Sequence, residues 1–95
     1  MTTVILEITA KNGSAEDVMT MLQMRLPDTR SYDGCEDVTV NFDKDTLTFV
    51  LVEYWESKSH YERYLAWRKE TGVFGNLVNL LETEPSIRYF EVIDV

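Results

Sequence analysis

Residues 47–55, LTFVLVEYW, are apolar on both sides of the chain when laid out as a β-strand. With a period of two, Leu47, Phe49, Leu51 and Trp55 share one face, and Val50, Val52 and Tyr54 share the other. Such a strand needs cover above and below, so it belongs in the middle of a sheet whose two faces are both dry. Residues 4–9 repeat the pattern more weakly, with Val4, Leu6 and Ile8 on one side and Ile5 on the other. By contrast, Val38, Val40 and Phe42 alternate with Asp37, Thr39 and Asn41, the pattern of an edge strand with one wet face. Asp43-Lys44-Asp45 reverses the chain between these strands, and residues 87–95 supply a last strand.

Helical signals fill the gaps. Ser14 is placed to cap a helix, and Val18, Met21, Leu22, Arg25 and Leu26 follow at helical spacing until Pro27, which is expected to end it. Residues 28–34 then read as a loop. Ser57 or Ser59 caps a second helix that Gly72 closes. Phe74, Leu77, Val78 and Leu81 carry a further helical stripe, broken by Pro85. The order β-α-β-β-α-(α)-β predicts a single α+β domain over residues 1–95, a ferredoxin-like βαββαβ arrangement on a four-stranded antiparallel sheet. Helices from one chain cover only one face of that sheet. Each apolar side chain left wet on the other face forgoes roughly 1.5–3 kcal/mol, so a homodimer through the sheet face is expected.

Charge and composition narrow the partners. A formal net charge of −8 argues against nucleic acid and against anionic membrane surfaces. The apolar N-terminal run is interrupted by Glu7 and lacks a basic flank, so neither a leader nor a membrane span is expected, and a cytoplasmic location is the default. With one Cys and one His, no intrachain disulfide forms, and a metal site would have to be built from carboxylates.

Three stretches carry a family resemblance: Thr29-Arg30-Ser31-Tyr32-Asp33-Gly34-Cys35, then Leu51-Val52-Glu53-Tyr54-Trp55-Glu56-Ser57, then Tyr61-Glu62-Arg63-Tyr64-Leu65. Together they resemble the antibiotic biosynthesis monooxygenase domain family, and Glu53-x-Trp55-x-Ser57 is the most specific piece. The resemblance implies a dimeric α+β barrel and oxygenation of an electron-rich phenol or quinol by O₂, with no metal, flavin or haem as cofactor. The family also contains haem-degrading enzymes. Their pattern resembles an Asn on the first strand with a Trp and a His on the second half. The first strand here has no Asn and the one His, His60, lies at the start of the second helix rather than beyond it, which makes haem degradation the least favoured alternative. A non-catalytic dimeric module that binds a small ligand is the alternative from a different functional class.

Such chemistry needs a base for the phenol, a donor for the developing charge and a pocket that excludes water. On the second helix Tyr61, Tyr64, Leu65 and Arg68 fall on one arc, flanked by His60, Trp67 and Thr71. Arg68 either holds a phenolate or superoxide, or lays its stem on the core and pairs its head with an acid such as Glu53. Glu53 sits among Leu51, Phe49 and Trp55, where desolvation raises a carboxyl toward neutrality, unless Arg68 or Arg30 pairs with it. His60, in the first helical turn, is the other candidate base. Trp55, Tyr61, Tyr64 and Trp67 are candidate pocket walls, with Arg30 and Tyr32 as a rim. Core packing is the competing role for each aromatic.

Overall fold

The computed structural model describes residues 1–95 and pairs the doubly apolar strand on both of its edges. The elements are β1 (Thr2–Thr9), α1 (Ala15–Arg30), β2 (Cys35–Asp43), β3 (Thr48–Trp55), α2 (Lys58–Glu70), α3 (Val73–Val78) and β4 (Ser86–Glu91). The sheet runs β2-β3-β1-β4 with every pair antiparallel, so the two-faced strands are central as their sequences require. Register places Leu6 opposite Leu51 and Val4 opposite Glu53, while Glu53 faces Val38 on its other side. A register shift between Cys35 and Asp37 re-aims the start of β2.

Phe49, Leu51, Glu53 and Trp55 are buried along β3, and the alternate residues Val50, Val52 and Tyr54 are only half-buried. Leu6, Ile8, Phe49 and Leu51 meet Val18, Leu22 and Leu26 of α1 in the main core. The opposite sheet face carries Ile5, Val50, Val52, Tyr54 and an exposed Phe90 without cover from any of the three helices. No helix is long and apolar enough to cross a membrane.

Several local expectations are corrected. Pro27 does not end α1, which runs a further turn to Arg30, leaving only residues 31–34 as loop. Proline lacks one hydrogen-bond donor, but Leu22, Leu26 and Thr29 are buried along one stripe and hold the turn in place. Both the N–H and the hydroxyl of Ser31 donate to the Pro27 carbonyl, at 3.2 and 3.0 Å. Ser14 occupies the N-cap position of α1, yet its side chain makes no capping bond. Ser57, rather than Ser59, caps α2, accepting from the His60 N–H at 3.2 Å. Leu47 lies in the hairpin turn at φ 55° rather than in β3. Leu81 falls beyond α3 and bridges Ala10, and β4 stops at Glu91.

Candidate active site

A cavity of about 60 Å³ opens between the sheet and the helices. Leu6, Leu51 and Glu53 form its floor; Leu22, Arg25 and Thr29 of α1 form one wall. Tyr61, Tyr64 and Arg68 of α2 form the second wall, and Val73, Phe74 and Leu77 of α3 close the end. The space suits a few waters, whereas a buried benzene occupies roughly 150 Å³ of engineered cavity. A guest as large as a benzene ring therefore fits only if lining side chains move.

Glu53 is the chemically unusual group. It is 3% exposed, and its single hydrogen bond comes from the Trp55 indole, Nε1 to Oε1 at 3.0 Å. No cation forms an ion pair with it. Burial pushes its carboxyl from 4.5 up to about 7, and the Trp55 bond offsets part of that rise. Strand periodicity explains the placement, because Glu53 must share the inward face with Leu51 and Trp55.

Arg68, 4% exposed, is held by neutral oxygens. Its Nε donates to the Tyr64 hydroxyl at 3.0 Å, and one terminal nitrogen donates to the Arg25 carbonyl at 2.8 Å and to Thr29 Oγ1 at 3.1 Å. Thr29 and Tyr64 hydroxyls meet at 2.7 Å and close the ring of contacts. The Arg68–Glu53 pair, one of the two roles open to Arg68, is absent, and the guanidinium is held by α1 and Tyr64 instead. Burial raises the Tyr64 phenol, and its bonds to Arg68 and Thr29 act in the opposite sense. Burial and the nearby Glu53 charge drive the Tyr61 phenol well above its usual range.

Other expected site residues lie elsewhere. Trp55 is fully buried in a smaller core with Val4 and Tyr61, behind the cavity wall rather than on it. Tyr32 and Trp67 stack on each other at 5.3 Å outside the cavity. Arg30 is exposed and donates to the Val38 carbonyl at 3.0 Å, so it pairs with no acid. His60 sits at the start of α2 and does not line the cavity, with Nδ1 2.6 Å from the Ser57 hydroxyl and Nε2 3.6 Å from Glu56. Its ring packs against Gly34, whose φ of 92° and close approach both require glycine. No cluster of His, Cys, Asp or Glu is placed to hold a metal ion.

Thr29 and the α3 wall are the site residues that sequence reading missed. The signal for Thr29 was available, since it continues the helical stripe of Leu22 and Leu26 once Pro27 is read through.

The fold and this cavity define a ferredoxin-like α+β domain with a buried acid and a buried guanidinium between sheet and helices. The family model for "Antibiotic biosynthesis monooxygenase" matches residues 1–69. The chain belongs to that family. Among solved structures, a candidate antibiotic biosynthesis monooxygenase from Deinococcus radiodurans superposes with a TM-score of 0.85 at 23% identity, over 100% of this chain and 95% of that one. A conserved protein from Methanosarcina mazei gives 0.82 at 17% identity, over 94% and 89%. Rv0793 from Mycobacterium tuberculosis gives 0.78 at 19% identity, over 99% and 96%. No curated protein matches the chain by sequence.

Proposed function

We propose that this protein is an oxygenase that inserts one atom of O₂ into a small electron-rich phenol or quinol bound in the cavity, with Glu53 as the base. The observation that carries this reading is a carboxyl poised near neutrality on the floor of an apolar cavity, with no cation to neutralise it. Glu53 removes the phenolic proton, and the anion so formed is a far better electron donor to O₂ than the neutral phenol. Arg68 lies on the same cavity and stabilises the phenolate or the reduced oxygen species that follows. The substrate supplies all four electrons that O₂ takes up, losing two hydrogens and gaining one oxygen, while the second oxygen atom leaves as water. Tyr61 and Tyr64 form the aromatic wall against which the ring lies.

The assembly in this reading is a homodimer through the uncovered sheet face. Ile5, Val50, Val52, Tyr54 and Phe90 make that face too apolar to stay wet.

An oxygen electrode tests the reaction on metal-free protein with a panel of hydroquinones and anthrols. Protein-dependent O₂ uptake, rising with pH through about 7 and abolished in Glu53→Gln, is the expected result. Saturable ligand-induced thermal stabilisation with no uptake across the panel overturns the oxygenase reading in favour of a binding module.

A further inference from the structure

Behind the cavity wall the aromatic rings form a connected path to the surface. Tyr61 and Tyr64, which line the cavity, lie 5.4 and 5.1 Å from Trp55, centroid to centroid. Trp55 in turn lies 6.4 Å from Tyr32, which is half-buried in the loop before β2. Ring contacts at these separations serve packing. Packing alone does not explain why the one hydrogen bond of a fully buried indole goes to a buried carboxyl. A backbone carbonyl satisfies an indole N–H without the cost of sequestering an acid. The arrangement instead joins an oxidisable ring to a proton acceptor at 3.0 Å, and that same acceptor opens onto the cavity. An indole gives up an electron more readily when its N–H proton has a base to receive it.

We infer that Trp55 and Tyr32 form a one-electron relay between the cavity and the surface, with Glu53 as the acceptor of the indole proton. The other rings are poor exits. The Arg68 guanidinium carbon lies 5.3 Å from the Tyr64 ring and 4.5 Å from the Trp67 ring, and Lys58 Nζ lies 4.5 Å from the Tyr89 ring. A cation over a ring opposes the removal of an electron from it. Trp55 and Tyr32 carry no such cation, so the path runs through them.

The use of the relay rests on the oxygenase reading, although its existence does not. When superoxide leaves the cavity with the phenolic proton, a second O₂ adds to the substrate radical. The resulting peroxyl takes one electron from Trp55 while Glu53 passes the indole proton to it, giving a hydroperoxide and a neutral indolyl radical. Tyr32 then returns an electron to the indole. Its phenolic proton goes to solvent, and Glu53 hands a solvent proton back to Nε1. A thiol in solution finally gives Tyr32 a hydrogen atom. The net change converts peroxyl and thiol into hydroperoxide and thiyl, and every protein group returns to its starting state.

Flash oxidation of the substrate-free protein by a photogenerated cationic ruthenium(III) complex tests the relay in reverse, and the net charge of −8 favours the encounter. Trp67→Phe is the working background, because it leaves Trp55 as the one indole. Transient absorption is expected to show the neutral indolyl radical there. Glu53→Gln is expected to convert it to the protonated cation radical, and Tyr32→Phe, a mild change at a half-buried site, to slow its formation. Neutral indolyl signals unchanged by both substitutions, or no indole radical at all in the background protein, overturn the relay. Because no substrate or O₂ uptake enters this measurement, its failure leaves the oxygenase reading intact, and the reverse also holds.

Discussion

Glu53→Gln should make the protein more stable at neutral and higher pH, and by an amount that pH alone switches on. The carboxyl sits at about 7 in the folded chain against 4.5 for the free side chain. A raised carboxyl means that the folded state holds the proton more tightly than the unfolded state does. Below 4.5 both states are protonated, and Glu53 contributes no pH dependence. Between 4.5 and 7 the unfolded chain ionises while the folded one does not, so stability falls by about 1.4 kcal/mol per pH unit. Above 7 both are ionised and the loss levels off at about 3 kcal/mol. Gln keeps the shape and still accepts from the Trp55 indole, but it carries no charge to desolvate. Because other acids titrate in both proteins, the observable is the difference between mutant and wild type, taken from urea unfolding at fixed protein concentration from pH 4 to pH about 8.5. It should grow by about 3 kcal/mol in favour of Gln across that window. A difference that stays flat with pH refutes the claim that Glu53 is a desolvated, unpaired acid, and removes the base from the proposed mechanism.

Trp55→Phe should lower stability by about 2 kcal/mol, since it empties space at a site with no exposure and strips Glu53 of its hydrogen bond; denaturant midpoints measure this. Quenching by a soluble naphthol should leave the Trp55 emission of Trp67→Phe almost unchanged, because the indole stands behind the cavity wall. Sedimentation at low micromolar concentration should give a particle of twice 11.1 kDa for the wild type and 11.1 kDa for Val52→Glu, and a wild-type monomer refutes the dimer. Gly34→Ala should cost about 1–3 kcal/mol from its φ of 92° and from a Cβ only 2.5 Å from the His60 ring; adding His60→Ala should recover the steric share but not the backbone share in a thermal-unfolding cycle.

The central strands were readable because burial on two sides leaves a mark at every position, and β3 alternates between fully and partly buried residues throughout. Glu53 was readable for the same reason, as its face follows from Leu51 and Trp55 by counting in twos. What resisted reading was side-chain choice between competing partners. Arg68 had an acid on its own side of the fold, yet it donates to the Arg25 carbonyl before Pro27 and to Thr29, which only the extra turn of α1 beyond Pro27 supplies. Local propensity at Pro27 suggested a stop, and tertiary burial of Thr29 overrode it. Trp55 shows the converse difficulty. Its strand-end position suits a wall or a core equally, and the decision lies with Tyr61 and Val4, which pack around it from other elements.

The family match ends at residue 69, one residue past Arg68, yet the cavity does not. Its end wall is α3, a helix of 6 residues entered through Gly72 at φ 84°. The charged machinery and the dimensions of the chamber are therefore encoded in separable pieces of chain. Drift at Val73, Phe74 and Leu77 can resize the chamber while Glu53, Arg68 and Thr29 stay as they are, so guest size and proton chemistry are free to evolve at different rates. A saturation library confined to those three positions is the corresponding engineering route, and under the oxygenase proposal selectivity between one-ring and fused-ring quinols is its screen.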